Sequence, residues 1–313
     1  MRANPDLLSS TARVHDGVLT TAQLLGLGLD PTWVRRQVDA GRWQRLHRGV
    51  LHTYSGPVPW RSRALAAVRY AGPGAALSHD AAARLLGMTG REPEVVDVSI
   101  PASRRVRPTE GVRIHTRASM PATRGWLPAV VAPETTVDLV AQARTVDDAV
   151  SWICAAVRTG VPPAAIAAAA RRRSRVPRRA LLDELIADVA DGVESPLERR
   201  YHHDVERRHA LPRAVLQVRR RVDGRWTRAD RRYERFAVSI ELDGWLGHPG
   251  GRTDADAWRD NAVLLERGDL TLRYRWRHVL VTPCACARQV ASALRRGGWR
   301  GSPQPCGPTC TAT

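Results

Sequence analysis

The stretch Phe236-Ala237-Val238-Ser239-Ile240-Glu241-Leu242-Asp243-Gly244 is an apolar β run that ends in two acids flanking one leucine. Side chains alternate across a strand, so Glu241 and Asp243 share one face and Leu242 takes the other. Two carboxylates at the end of a buried run repel each other and lose hydration, which costs stability unless a cation joins them. A divalent metal meets that need. Oxygen-only ligands with open positions favour Mg²⁺ or Mn²⁺ over zinc. Ten residues separate Asp230 from Glu241, and a hairpin between them brings Asp230 onto the neighbouring strand near the same end.

The chain has 313 residues, enough for two or three domains, each with a core of its own. Its first segment reads as helix, turn, helix and hairpin. Thr20 or Thr21 caps a helix through Leu25, and Asp30-Pro31 starts a second that ends at Gly41. Two short strand-like runs around Arg48-Gly49 follow, and that order is a winged helix. The expected organisation is a winged-helix DNA-binding domain over 1–55, a mostly helical middle region over 56–190, a further domain over 191–300 and a tail over 301–313. Within the middle region Val95 to Ile100 and Val112 to His115 alternate as strands, and His79 and His115 read as lone structural histidines. Ser195-Pro196 opens a helix with a cap and a Pro at the first helical position, which puts Glu198 in its first turn.

The formal charge of +18 comes from an excess of Arg over acid, with no Lys in the chain, and the pI is about 11.2. Such an excess points to a polyanion, with nucleic acid, as double-stranded DNA, the expected partner. A base-composition bias explains the choice of Arg over Lys, but not the surplus of cations. Arg35 and Arg36 fall on the second helix and Arg42, Arg45 and Arg48 on the wing, so both elements that meet a duplex carry cations. A winged helix that contacts only protein is the alternative. Arg171 to Arg179 holds six arginines in nine residues and reads equally as a phosphate-tracking run or a solvated linker. Nothing in the chain matches the roughly 18 apolar residues of a membrane span or a secretion signal, so a cytoplasmic protein without a membrane partner is expected.

Cys154, Cys284, Cys286, Cys306 and Cys310 are an odd set without a secretion signal, which argues against a disulfide framework. The four late ones could hold a structural zinc, yet Pro-Cys-Ala-Cys and Cys-Gly-Pro-Thr-Cys lack the Cys-x2-Cys spacing, and free thiols are the expectation.

Two resemblances sharpen this reading. Leu24, Trp33, Val34, Gly41, Leu46, Gly49 and Val50 stand where AbiEi-type antitoxins have their N-terminal pattern, and the likeness covers about the first 55 residues. Asp230-x10-Glu241-x-Asp243 resembles the PD-(D/E)XK superfamily, and more narrowly the domain related to very-short-patch-repair endonucleases that follows an AbiEi-like N-terminus in actinobacterial proteins. Supporting it are Ser195-Pro196-Leu197-Glu198, His248, Arg259-Asp260-Asn261 and the closing run Leu270 to Tyr274 with Trp276.

The resemblance implies a C-terminal restriction-endonuclease-like α/β/α domain with a mixed sheet, in a multidomain α+β and α/β chain. It also implies a Mg²⁺- or Mn²⁺-dependent endonuclease acting on phosphodiester bonds, in DNA repair or phage defence. Carried over by position, Asp230 and Glu241 are its metal ligands, Asp243 lies beside them, Glu198 binds through water, and His248 takes the proton. Asp260 would orient the site. Two departures stand out. The family puts Lys where this chain has Asp243, leaving charge on the phosphate to the metal and an Arg, and Arg231 replaces a usually apolar residue. The alternative is a transcriptional regulator or antitoxin-like DNA-binding protein whose nuclease fold is inactive.

Overall fold

The computed structural model describes residues 5–222, 224–243, 258, 264, 265 and 268–312. Contacts divide the chain into two compact units, residues 1–144 with 155–182, and residues 145–154 with 183–313.

The first unit begins with α1 (Pro5–Val14), β1 (Val18–Thr20), α2 (Thr21–Gly26), α3 (Pro31–Asp39), β2 (Gln44–His47) and β3 (Val50–His52). The strands form an antiparallel sheet in the order β1-β3-β2. Both expected caps are present. Thr20 and Gln23 make a reciprocal capping box on α2, and Asp30 Oδ1 accepts the Trp33 N–H at 2.9 Å ahead of Pro31. Leu19, Leu24, Leu29, Val34, Trp43 and Leu51 close a small core. The turn at Gly49 needs its φ of +76°, which a Cβ would strain. Helix α1 and strand β1 lie ahead of the first helix expected from sequence.

The rest of this unit is a five-stranded mixed sheet with helices against it. The sheet has β4 (Ala76–Leu77), β5 (Val96–Pro101), β6 (Val112–Arg117), β7 (Thr123–Arg124) and β8 (Ala129–Val130) in the order β6-β5-β4-β8-β7. Helix α4 (Trp60–Ala71) buries Ala64, Leu65, Ala67, Val68 and Ala71 against Leu77, Val96, Val98 and Ile100. The expected helices and the two longer strands are present, and three two-residue strands complete a sheet the sequence did not announce. Helices α5 (His79–Leu85), α6 (Ala132–Gln142) and α8 (Pro163–Arg171) also belong here. In the arginine-rich run, Arg172 and Arg173 bind Glu134, and Arg173 also binds Asp138, so these two cations serve the fold. Helices α7 (Val146–Arg158) and α9 (Arg179–Ala190) contain the points where the division falls.

In the second unit α10 (Pro196–Arg200) continues as a π-helical stretch, Tyr201–Arg207. Strands β9 (Val215–Val222), β10 (Arg225–Tyr233) and β11 (Val238–Asp243) run antiparallel to their neighbours, and β12 (Leu270–Arg275) pairs parallel with β11. Helices α11 (Trp276–Val281) and α12 (Pro283–Arg296) follow. Leu197, Tyr201 and Val205 pack with Val238, Ile240 and Leu242 and with Val290 and Leu294. Among the described residues no single helix is long and apolar enough to cross a membrane.

Candidate functional site

Alternation along β11 sends Val238, Ile240 and Leu242 into the core and leaves Glu241 and Asp243 half-buried on the other face. The antiparallel pair Arg231↔Ile240 sets Asp230 beside Glu241, and the Leu242 N–H donates to Asp230 Oδ2 at 2.7 Å. Parallel pairing with β12 places Arg273 opposite Glu241 and Arg275 opposite Asp243. Arg273 forms an ion pair with Glu241, and its Nη1 lies 3.8 Å from Asp243 Oδ1. The cation that two adjacent acids require is thus at least partly supplied by the protein. Arg273 sits inside a run read from sequence only as a strand, because a cross-strand partner cannot be seen without the register.

Glu198 reaches the same neighbourhood from α10. Its backbone N–H donates to the Ser195 hydroxyl at 3.2 Å, while its carboxylate accepts from Ser195 Oγ at 2.9 Å, from the Glu194 N–H at 3.1 Å and from Gln217 Nε2 at 2.9 Å. That is a helix-capping arrangement, reaching one residue further back than the usual capping box. Burial raises the Glu198 pKa, the Glu194 N–H pulls it down, and Asp230 raises it again. Burial likewise raises Asp230, against the Leu242 N–H and Arg228, while Glu194 and Asp243 push it up. Glu198 and Asp243 are therefore each close enough to Asp230 for their charges to act on one another. Gln217 holds φ of +52° where the ladder skips from Val218↔Ala229 to Leu216↔Arg231, an irregularity opposite Asp230.

Arg231 fits the strand that its charge had made doubtful. It is fully buried, with Nη1 2.8 Å from Glu206 Oε2, Nη2 donating to the Glu198 carbonyl at 3.0 Å, and its guanidinium over the Tyr201 ring. His202 bonds Glu206 at 2.9 Å, and His203 lies 3.3 Å from Asp188. His248 and Asp260 lie outside the described residues.

Asp230, Glu241 and Asp243 offer only hard carboxylate oxygens, the donor chemistry that suits Mg²⁺ or Mn²⁺, but among the described residues they are not one of the groups whose ligand atoms all converge within 4.8 Å. Glu241 would have to exchange Arg273 for the metal.

In the first unit Arg35, Arg36, Arg42, Arg45 and Arg48 are all exposed. Arg35 pairs with Asp39 at 3.6 Å in solvent, a contact too weak to withhold it from a ligand. Residues 6–51 match the family model described as transcriptional regulator, AbiEi antitoxin. That segment is therefore similar to the AbiEi antitoxin transcriptional-regulator domain. Its pattern residues have physical roles: Leu24, Val34 and Val50 are buried, Gly41 and Gly49 hold positive φ, and Trp33 meets Trp43 edge-on at 5.5 Å. No curated protein matches the chain. The crystal structure of the RV2827C protein from Mycobacterium tuberculosis matches at 18% identity and a TM-score of 0.41, covering 60% of this chain and 76% of that one.

His79 and His115, expected to be isolated, are not. Their rings stack at 3.8 Å, and His115 Nε2 lies 2.8 Å from Asp97 Oδ1. The trio joins α5, β5 and β6, a juxtaposition with no local signal in sequence.

Proposed function

We propose that this chain is a DNA-binding transcriptional regulator of the AbiEi antitoxin type, with double-stranded DNA as its partner. The observation that carries this reading is the coincidence, within the matched segment, of the family model with five exposed arginines on α3 and the β2–β3 hairpin. We read that segment as a winged helix, with α3 in the major groove and the hairpin along the backbone. Fluorescence anisotropy with a labelled duplex tests it. Replacing Arg35, Arg36, Arg42, Arg45 and Arg48 by Gln in the full chain should flatten the fall of log affinity with log salt by about one unit for each arginine that touches a phosphate. An unchanged slope would remove this segment from the interface.

A second reading, a divalent-metal-dependent endonuclease, is favoured by the gathering of Glu198, Asp230, Glu241 and Asp243 at one end of a mixed sheet. Asp230 and Glu241 would hold Mg²⁺ or Mn²⁺, which when bound supplies a Lewis acid and an activated water. Arg273, once released from Glu241, would face the phosphate in the role that Lys has in the family pattern. Glu198, committed to its cap, acts only through water, and His248 remains the proposed proton acceptor. Asp230→Ala or Glu241→Ala should abolish Mg²⁺-dependent plasmid cleavage and leave DNA affinity nearly intact. Cleavage at the parental rate by either variant would sink the nuclease reading and leave the regulator standing.

A further inference from the structure

The closing segment of the chain gathers three thiols around a histidine. His209, just beyond the π-helical stretch, is wholly buried, and its Nδ1 lies 3.0 Å from the Val205 carbonyl. A carbonyl only accepts, so Nδ1 carries the proton and Nε2 presents a lone pair. That Nε2 is buried and has no hydrogen-bond partner. Cys284 lies in the first turn of α12, and Cys306 and Cys310 are in the closing segment. One ligand atom from each of these four residues lies within 4.8 Å of every other.

We propose that His209, Cys284, Cys306 and Cys310 form a tetrahedral structural zinc site. A zinc ion with thiolates at about 2.3 Å sets sulfur atoms roughly 3.8 Å apart along a tetrahedral edge. Cys284 Sγ and Cys306 Sγ are 3.5 Å apart, near that edge and far from the roughly 2.0 Å of a disulfide. None of the five cysteines is bridged. Cys306-x3-Cys310 falls inside the two-to-four-residue spacing of zinc ligand pairs. Three soft thiolates with one imidazole select zinc over the hard cations that suit the acids. A carbonyl on the far nitrogen, which fixes the tautomer and aims the ring, is the usual support of a ligating histidine. The Ala312 N–H lies 3.5 Å from Cys310 Sγ, while the Cys310 N–H bonds the Gly307 carbonyl to close the turn. The segment is also pinned by Gln304 N–H on the His209 carbonyl at 2.8 Å and by Arg288 on the Thr311 carbonyl at 3.0 Å. Sequence spacing had suggested Cys286 as a member. It is instead buried in the core, and His209, 77 residues earlier in the chain (286 − 209), takes its place.

The full chain, purified without chelator, should carry one equivalent of zinc by mass spectrometric metal analysis. Exchange with Co²⁺ should give thiolate-to-cobalt charge transfer and the intense visible bands of a tetrahedral site. In competition with a chromophoric chelator, Cys306→Ser and Cys310→Ser should weaken zinc binding by roughly tenfold or more. Cys286→Ser should keep it. Should either closing-segment variant fail to fold, the cobalt spectrum of the unaltered chain decides. A chain that holds no zinc and gives no tetrahedral cobalt spectrum overturns the proposal, as do variants at Cys306 and Cys310 that bind zinc at parental strength.

Discussion

Arg273 is held between Glu241 and Asp243, and its removal tests how far this end of the sheet depends on a protein cation. The three side chains are between 17% and 31% exposed, so the contact lies between a surface pair and a buried one. Arg273→Ala should therefore destabilise by about 2 kcal/mol. Mg²⁺ should then raise the melting temperature of the variant more than that of the parent, because a divalent ion can take the vacated place. Equal shifts in both would argue against metal binding by these acids. His79 gives a pH dependence of its own. Burial lowers its imidazole from 6.5 to about 4. The unfolded chain thus binds the extra proton first, and the stability that neutral His79 contributes is fully present above pH 6.5. It is lost as pH falls from there through about 4, a difference of roughly 3 kcal/mol. His79→Asn tolerates the left-handed backbone at φ +48° and should flatten that acid limb in urea denaturation followed at pH 7, 5.5 and 4.5. A limb as steep as the parent's would assign the acid sensitivity elsewhere.

At the scale of elements, the π-helical stretch carries Glu206 into a buried network. Glu206 accepts from Arg231 at 2.8 Å, from the Tyr233 hydroxyl at 2.7 Å and meets His202 at 2.9 Å. Glu206→Ala strands the Arg231 guanidinium in the core and should cost about 3–5 kcal/mol. Pairing it with Arg231→Met should recover much of the loss, and a double variant no more stable than the single would show that packing, not charge, sets the cost. Elements of this kind show why parts of the chain were readable. Caps at Asp30 and Ser195 and the same-face pair Glu241 and Asp243 are local patterns, decided within four residues. Ala76–Leu77 and Ala129–Val130 are too short to alternate, and α1, with its polar Ser9, Ser10 and Thr11, has a thin apolar stripe. Arg273 and Gln217 meet the acids through strand register, and His209 meets the late cysteines through tertiary packing. None of these contacts leaves a trace in spacing.

On the scale of the whole molecule, the arginines behind the charge of +18 stand in two kinds of setting. Arg117, Arg173, Arg199, Arg220, Arg231 and Arg232 are tied into half-buried or buried ion pairs, whereas the five arginines of the AbiEi-type segment stand in solvent. The division into units is not a single cut in the chain, since residues 145–154 fold with 183–313. Within that second unit Asp147 pairs with Arg200 at 2.9 Å, and Cys154 Sγ bonds the Val193 carbonyl at 3.6 Å. A gene that exchanged its 3′ half by recombination near codon 183 would deliver the later unit without this piece, leaving Arg200 without Asp147. The interleaving thus favours inheritance of the two units as one block, and the segment over 6–51 is tied to its own unit in the same way, since Val18 and Val50 share a core with α4 and Asp16 pairs with Arg61 at 2.8 Å.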